Sequence, residues 1–360
     1  MGKLTGIKVV DLSLFLPGPM LSMMMADHGA QVIKVEPPTG DPAREMEPVE
    51  AGQSVWFRNL NRGKQALALD LKSDEGRERL WALLAEADVM IEGFRPGVMK
   101  RLGFDYDAVA TKNPRIVYCS ISAFGQEGEM AHHPAHDLAV QALSGFLSVN
   151  DGPDGMPVVP GVPSADMAAG LNGLSAVLMA LIGREQSGRG DYVDIAMYDS
   201  MLPWCAHIAG SAIQGGNAPR SQTQRSLGGA AFYNVYKTID DKHVVLGARE
   251  IKFAKVLLTA LDRPDLLPLA EMESGEAQRP LTDFLRETFA SRSRDQWVEW
   301  FADKDVAFSP VLDFREALDQ EFVKDKGLLV EADGWHQIGP SFRFKSEEEW
   351  QASDAPELRK

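Results

Sequence analysis

The chain has 360 residues, of which 44% are hydrophobic and 25% charged, and its formal net charge is -15. A chain of this length exceeds what one ordinary hydrophobic core supports, so two domains are expected. The acidic balance and the lack of a basic run exclude nucleic-acid or anionic-membrane binding through the bulk surface. An anionic ligand therefore has to meet local basic residues.

The spacing of the cysteines and histidines indicates whether the chain holds a disulfide or a metal ion, and the N-terminal sequence indicates its cellular compartment. Cys119 and Cys205 are far apart, and His132 and His133 lack a third ligand at metal-like spacing. The sequence therefore predicts neither a disulfide framework nor a metal site. The start, MGKLTG, lacks the features of a signal peptide or a myristoylation motif, and no apolar run reaches membrane-spanning length. We expect a protein of the reducing cytoplasm that binds no membrane.

The first part of the chain follows the pattern of a parallel α/β sheet. A β-branched run at residues 7–12, a helical pattern at 20–28 and a second such run at 31–36 form a strand–helix–strand unit. Ligands of such sheets sit at the carboxyl ends of strands, here near residues 15–19. The G-x-G-x-x-G fingerprint is absent, which disfavours a nicotinamide or flavin enzyme.

Four methionines, Met20, Met23, Met24 and Met25, lie in the first predicted helix. Unbranched thioether side chains adapt to irregular apolar shapes, so the cluster fits either a hydrophobic core or a pliable surface for a fatty chain. Core packing is the more frequent use of such a cluster, and the sequence leaves both uses open.

Basic side chains concentrate in two turns of this acidic chain. Arg62 and Lys64 precede the alternating leucines that end at Lys72, and Arg95 and Arg101 flank a Pro-Gly turn. Such charges are ordinarily a solvated surface. In a chain with excess negative charge, however, basic turns at expected strand ends also suit contacts to phosphate groups.

Two candidate proton-transfer groups are expected at the starts of two helices. His136 and Asp137 open one helical pattern, and Asp166 stands just inside a longer helix that runs to Arg184. A helix N-terminus offers unpaired N–H groups and a partial positive charge, which keep a carboxylate ionised, keep an imidazole neutral and attract developing negative charge. These conditions suit base chemistry beside an oxyanion. Taken singly, each residue also fits a capping or surface role.

The composition changes to a polar, Gly-rich connection after about residue 208, which suits a link between domains. Beyond it, a hairpin around Asp240-Asp241 and several helices are expected. The predicted division is a large domain at 1–207, a linker at 208–230, a small domain at 231–305, and a return to the large domain with a tail at 306–360.

Several motifs occur in a fixed order along the chain. They are PGP at 17–19, GKQALALDLK at 63–72, EGFRPGVMKRLG at 92–103, SAFGQEG at 122–128 and GRGDYVDIAM at 188–197. With these motifs the chain resembles the α-methylacyl-CoA racemases, within the family III CoA-transferase superfamily, over nearly its whole length. The motifs mark the superfamily and CoA binding without separating racemases from transferases.

A few residues resemble the racemases in particular. His136-Asp137 is similar to the racemases' His-Asp pair, and the segments at 228–233 and 247–253 are similar to racemase segments. In that resemblance Glu250 matches a glutamate that partners the histidine. Asp166 does not discriminate, because the matching aspartate is a base in racemases and a nucleophile in transferases.

The resemblance implies a doubly wound, Rossmann-like large domain that binds CoA and a smaller α+β domain. It also implies a homodimer whose subunits interlock like chain links, so that each active site is shared and Glu250 reaches His136 from the partner chain. The implied CoA contacts are Phe15, Leu16, Pro17, Lys64, Leu69, Asp70, Leu71, Lys72, Gly93, Phe94, Arg95, Arg101 and Ala135. Pro37 replaces an arginine that contacts CoA in the family, and Lys34, Arg44 or Arg62 are its candidate substitutes.

A proton alpha to a thioester carbonyl is weakly acidic, so its removal needs an aligned base and donors aimed at the enolate oxygen. The resemblance implies that His136 takes the proton on one face while protonated Asp166 donates on the other. Glu250 would orient His136, and the main-chain N–H near Asp137 would stabilise the enolate. The expected reaction interconverts (R)- and (S)-2-methylacyl-CoA in fatty acid metabolism. The CoA thioester is the substrate, and no further cofactor or metal is required.

The sequence leaves other functions open. CoA transfer between carboxylic acids through an acyl-enzyme at Asp166 is the main alternative reaction. A non-catalytic CoA-binding or scaffolding protein is another. A dinucleotide oxidoreductase is disfavoured, because its phosphate-binding loop is missing.

Overall fold

The computed structural model describes residues 2–152, 154–332, 334–347 and 350–359. The chain forms two compact units. The first contains Met1–Ser144, Pro160–Trp204 and Glu321–Lys360, and the second contains Gly145–Val159 and Cys205–Gln320. The sequence predicts the corresponding boundaries near residues 208 and 306.

Short strands and helices alternate along much of the chain. The strands are β1 (Lys8–Asp11), β2 (Gln31–Glu36), β3 (Val49–Glu50), β4 (Gln53–Ser54), β5 (Gln65–Ala68), β6 (Val89–Glu92), β7 (Val117–Ser122), β8 (Tyr192–Ala196), β9 (Tyr233–Lys237), β10 (His243–Gly247), β11 (Phe308–Pro310), β12 (Leu329–Ala332), β13 (Trp335–Ile338) and β14 (Leu358–Arg359). The helices are α1 (Pro17–Asp27), α2 (Val55–Asn61), α3 (Asp74–Glu86), α4 (Val98–Leu102), α5 (Tyr106–Lys112), α6 (Asp137–Leu143), α7 (Ser164–Ser187), α8 (Met197–Ile213), α9 (Ile251–Ala260), α10 (Leu267–Ala270), α11 (Arg279–Phe289), α12 (Arg294–Phe301), α13 (Phe314–Leu318) and α14 (Glu321–Asp325).

A seven-stranded sheet organises the first unit, in the order β14-β5-β2-β1-β6-β7-β8. Every pair of neighbours in it is parallel. The interior strand β6, VMIE, is buried throughout, as expected for a parallel strand covered on both faces. The predicted α/β class with a large parallel sheet is confirmed.

The strand order reverses at β1. From β1 the chain moves to β2 on one side and later to β6 on the other. In such sheets the crevice outside the carboxyl ends of the strands at this reversal is the usual ligand site. The loop after β1 and the turn after β6 border that crevice, and both carry residues that the sequence predicts to contact CoA.

The methionine cluster belongs mainly to the core. Met20, Met23 and Met25 are buried, and Met24 is half-buried. The core interpretation of this cluster therefore fits the structure, and these side chains offer no broad exposed surface to a fatty chain.

Helix α7 is the longest helix among the described residues. Its 24 residues are long and apolar enough, by length and composition alone, to cross a membrane. The sequence predicts no such segment. Core helices of soluble proteins have the same composition, and Ala168, Leu174 and Val177 of α7 are buried in the first unit. The apolar composition of α7 is thus explained in part by packing.

The second unit is built on an antiparallel sheet in the order β11-β10-β9. The hairpin between β9 and β10 turns at Asp241, which has a φ of 59°. Helices α9, α11 and α12 supply core residues such as Leu257, Leu285 and Trp297. Because β11 pairs with β10, it lies in the second unit, and the chain returns to the first unit only at Glu321.

Two lysines are fully buried beside β1, each with a carboxylate partner. Lys34 Nζ lies 2.9 Å from Asp41 Oδ2 and donates to the carbonyl oxygen of Ser13 at 2.7 Å. Lys64 Nζ lies 3.3 Å from Asp11 Oδ2. Removing one member of such a pair leaves an uncompensated buried charge, which is costly.

Replacing Lys34 tests this arrangement. We expect Lys34→Met to lower the free energy of unfolding by about 3–5 kcal/mol, because Asp41 is left buried without its cation. Lys8→Met is the matched control, since Lys8 pairs with Glu86 at the surface, where solvent screens the pair and its contribution to stability is small. Urea unfolding of both variants measures the difference, and equal losses would contradict the buried pair's role.

Candidate active site

His136 is the residue that precedes α6. Its backbone is extended, with φ of -117° and ψ of 175°, and its carbonyl oxygen accepts from Ala139 N at 3.0 Å and Val140 N at 3.2 Å. The imidazole is exposed and makes no capping hydrogen bond. The predicted helix start is therefore present, and within the part of the chain that the structure describes no hydrogen bond orients the imidazole.

Asp137 joins the starts of α6 and α7. Its Oδ1 accepts from Ala165 N at 2.8 Å and Asp166 N at 3.1 Å. Its Oδ2 accepts from the side-chain amide of Gln141, one turn further along α6. Asp137 is thus the N-terminal cap of α7, supplied by another helix, since Pro163 at the cap position has no side-chain donor or acceptor.

Asp166 lies in the first turn of α7, beside Asp137. Burial raises the pKa of its carboxyl to about 7, and the negative charge of Asp137 contributes to this rise. The sequence predicts the opposite, namely that the helix N-terminus keeps this carboxylate ionised. The reason for the difference is that Asp137 already occupies the N–H groups of Ala165 and Asp166.

The first turn of α6 keeps two donors, the N–H groups of Asp137 and Leu138, which donate to no other residue that the structure describes. Main-chain N–H groups at the first positions of a helix have no intrahelical acceptor. In α6 these include the N–H of Asp137, which the sequence predicts to stabilise an oxyanion. The starts of α6 and α7 therefore bring three kinds of group into one site. They are the Asp166 carboxyl, which can transfer a proton or act as a nucleophile, the His136 imidazole, and the N–H donors at the start of α6.

An apolar cavity of about 220 Å³ lies at the carboxyl ends of β1, β2 and β5. It brings together five of the predicted CoA contacts: Leu69, Asp70, Leu71, Lys72 and Phe94. Pro37 also lines it, so the position of the family's arginine contributes apolar wall instead of charge. A flat, weakly polar group such as an adenine ring fits such a lining.

A second cavity, of about 370 Å³, is lined by Arg95, Lys100 and Gln126 among others. Arg95, Lys100, Arg101 and Lys72 are exposed. None of these four cations forms an ion pair with another residue that the structure describes. They are therefore available to phosphate groups, as the sequence predicts for Lys72, Arg95 and Arg101.

The structure corrects the assignment of Lys64. Its ammonium group is buried and donates to Asn61 Oδ1 at 2.8 Å and to the carbonyl oxygen of Pro19 at 2.9 Å. Burial lowers its pKa to about 7. Lys64 therefore connects the end of β1 with α1 and α2, and its charge is not presented to a ligand.

The three candidate substitutes for the missing arginine each form an ion pair with a carboxylate of the same chain. Lys34 pairs with Asp41 at 2.9 Å. Arg44 pairs with Glu36 at 2.7 Å, and Arg62 pairs with Asp27 at 2.6 Å. None of the three cations is therefore free to replace an arginine at Pro37.

The remaining predicted contacts lie on loops. Phe15, with a φ of 64°, is 40% exposed, while Leu16 is buried and Pro17 begins α1. Gly93 is exposed in the turn after β6, and Ala135 is half-buried next to His136. These placements leave Phe15 and Gly93 accessible to a ligand.

Glu250 belongs to the second unit. It precedes α9, is exposed, and lines a cavity of about 240 Å³ together with Arg225 and Arg249. Its contact with His136 across two chains stays a prediction.

Two residues without a predicted role occupy the region of the CoA contacts. Glu92 ends β6, is 3% exposed and has a pKa raised to about 7 by burial. Gln126 lies in the loop after β7. A charged residue at the end of an otherwise apolar strand was the available signal for Glu92. Within the described residues, no group of three or more His, Cys, Asp and Glu could hold a metal ion.

Almost the entire chain matches one protein family. Residues 4–359 match the family described as CoA-transferase family III. The chain is 33% identical to acetyl-CoA:oxalate CoA-transferase of Acetobacter aceti over 92% of this chain and 87% of the relative. It is also 33% identical to human alpha-methylacyl-CoA racemase, over 91% and 82%.

A solved structure shows the same fold. The crystal structure of a CAIB/BAIF family protein from Brucella suis has a TM-score of 0.88 and 30% identity, and the match covers 99% of this chain and 96% of that one. The relatives thus include both a transferase and a racemase at equal identity.

The raised pKa of Asp166 predicts a pH-dependent stability. The carboxyl ionises near its ordinary value of 3.8 in the unfolded chain and near 7 in the folded protein. The folded state therefore binds more protons between these values, and stability falls as the pH rises through this window. We expect Asp166→Asn, which cannot ionise, to be more thermostable than the wild type at pH 8 and nearly equal to it at pH 4.

Thermal unfolding from pH 4 to 8 measures this difference. Asp107→Asn, at an exposed carboxyl in the first turn of α5, is the control and should show no such trend. If the difference in unfolding temperature between Asp166→Asn and the wild type does not widen as the pH rises, the raised pKa of Asp166 is contradicted.

Proposed function

Because the chain belongs to CoA-transferase family III, we propose that it moves CoA between carboxylic acids through an acyl-enzyme at Asp166. The observation that carries this proposal is the environment of the Asp166 carboxyl. The carboxyl is held on the first turn of α7, is partly desolvated, and has a pKa of about 7. A more basic carboxylate is a better nucleophile, and at neutral pH about half of it is ionised.

The transfer begins when the Asp166 carboxylate attacks the thioester carbonyl of the donor acyl-CoA. The new C–O bond forms as the C–S bond breaks, which gives a mixed anhydride and a CoA thiolate. The thiolate then attacks the Asp166 carbonyl, the donor carboxylate leaves, and CoA is held as an enzyme thioester. The acceptor acid takes its place by the reverse steps. The N–H groups at the start of α6 suit the negative charge that develops on the thioester oxygen.

The charge of the surrounding segment bears on which acids react. No Lys or Arg occurs between Arg115 and Arg184, a stretch that contains His136 and Asp166 together with several acidic residues. A second carboxylate on the substrate would meet negative charge here without a cation on this segment. We therefore favour acyl groups that carry no second carboxylate.

Racemisation of 2-methylacyl-CoA is the second candidate, and His136 is the observation that favours it. An imidazole next to Asp137 provides a base near Asp166, and an Asp166 that is half protonated at neutral pH can serve as the acid. This reaction requires an oriented imidazole, and among the described residues no hydrogen bond to the His136 side chain supplies one. In this candidate, Glu250 from the partner chain of an interlocked homodimer would orient it. Transfer is the better supported of the two, because Asp166 is already fixed by its helix.

Trapping separates the two reactions. With butyryl-CoA as donor, acetate as acceptor and hydroxylamine present, transfer should leave a hydroxamate on the peptide that contains Asp166, seen by mass spectrometry. Asp166→Asn should show no adduct, and succinyl-CoA should react more slowly than butyryl-CoA. In heavy water, (R)-2-methylbutyryl-CoA could instead lose optical purity and take up deuterium while no adduct forms. That result would contradict transfer and support racemisation as the function.

The pH dependence provides an independent test. Transfer uses ionised Asp166, so kcat/KM should rise about tenfold per pH unit below the pKa of about 7 and level off above it. Racemisation that starts at His136 uses protonated Asp166, so its rate should fall above the same pH. Initial rates between pH 5 and 9 distinguish these profiles, and a transfer rate that declines above pH 7 would count against the nucleophile role.

A further inference from the structure

The turn that follows β6 lies between two cavities. Phe94 lines the apolar cavity of about 220 Å³, and Arg95 lines the cavity of about 370 Å³. The path of the main chain through these two residues therefore sets the walls of both cavities. Gly97, with a φ of 79°, ends the turn before α4.

Glu92 holds the beginning of this turn. Its Oε2 accepts from Phe94 N at 2.7 Å, and its side chain is buried at the end of β6. Within the described residues Glu92 forms no ion pair with a cation. A buried carboxyl without a cation costs folding free energy relative to an uncharged side chain. The Glu92 carboxyl gives the turn a fixed hydrogen-bond acceptor for Phe94 N.

Gln126 holds the same turn from the loop after β7. Its Nε2 donates to Ser120 Oγ at 2.8 Å and makes a longer contact of 3.5 Å with the carbonyl oxygen of Phe94. Its own main-chain N–H donates to Asp194 Oδ2 at 2.9 Å, which fixes Gln126 to β8. Ser120 in turn hydrogen-bonds to Glu92. Phe94 is thus contacted at its N–H by Glu92 and at its carbonyl by Gln126.

We infer that Glu92 and Gln126 are positioning residues that hold the Phe94-Arg95 turn in the conformation that binds the nucleotide end of CoA. The inference rests on the proposed function, since it takes CoA as the ligand of this turn. Neither residue takes part in the acyl chemistry at Asp166. Their loss therefore weakens binding of the nucleotide and leaves the pantetheine arm unaffected.

Isothermal titration calorimetry with the full chain tests this role. Free CoA and pantetheine, which lacks the nucleotide, are the two probes. Glu92→Ala and Gln126→Ala should each weaken CoA binding about 5- to 20-fold, the loss expected for one or two hydrogen bonds, and leave pantetheine binding within about twofold. Glu92→Gln keeps an acceptor for Phe94 N and should stay within about threefold of wild type for CoA.

Glu129→Ala, an exposed residue of the same loop, is the matched control and should bind both probes as the wild type does. A wild-type protein that binds no CoA overturns the proposed function and the inference with it. CoA binding that is unchanged in both Glu92→Ala and Gln126→Ala overturns the inference alone. Equal weakening of CoA and pantetheine also overturns it, because that pattern indicates a general loss of structure. Gln126→Ala keeps the test decisive if Glu92→Ala fails to fold.

Discussion

The candidate active site depends on one carboxylate, that of Asp137. The segment between α6 and α7 is long, and Gly145–Val159 within it belongs to the second unit. Chain connectivity therefore does not by itself fix the two helix starts relative to each other. The hydrogen bonds from Ala165 N and Asp166 N to Asp137 Oδ1 do so directly. The same bonds make the two helix starts unequal. The N–H groups of Ala165 and Asp166 in α7 donate to Asp137, whereas those of Asp137 and Leu138 in α6 donate to no residue that the structure describes.

The difference between the two helix starts gives the Asp166 carboxyl and the N–H donors of α6 separate roles. Asp166 stands at a helix N-terminus that offers it little stabilisation, so burial and the charge of Asp137 raise its pKa to about 7. The buried cations of the first unit lie elsewhere, as Lys34 and Lys64 pair with Asp41 and Asp11. Glu92 follows the pattern of Asp166, with a pKa raised to about 7 by burial. Buried acids without cations thus occur around the predicted ligand site, and paired lysines support the loop after β1.

The sequence predicted the sheet better than it predicted the charges. β-Branched runs identified the strands at 7–12 and 31–36, because burial on both faces leaves a continuous apolar signal. Lys64 was expected to contact CoA and Lys34 was one candidate substitute for the missing arginine, yet both ammonium groups pair with buried carboxylates. A basic residue beside a turn looks the same in sequence whether its ammonium points outward or into the core. The helix start by itself predicted an ionised Asp166, whereas the resemblance implied a protonated one. The capping bond that removes the helix donors from Asp166 comes from a residue 29 positions away, which the local sequence does not show. The long helix at 166–184 was also predicted, and α7 extends it by two residues at its start and three at its end.

Transfer acts on the thioester carbonyl carbon and racemisation on the neighbouring alpha carbon. The two reactions therefore make similar demands on the site. Both place negative charge on the thioester oxygen, and the free N–H groups of α6 suit either case. Transfer needs Asp166 in line with the carbonyl carbon, whereas racemisation needs two groups on opposite faces of the alpha carbon. Asp166 is fixed by the first turn of α7. The His136 imidazole is exposed and forms no hydrogen bond with a residue that the structure describes. The orientation of this imidazole is therefore the physical variable that decides between the reactions, because a base without a fixed direction contributes little to abstraction of a weakly acidic C–H proton.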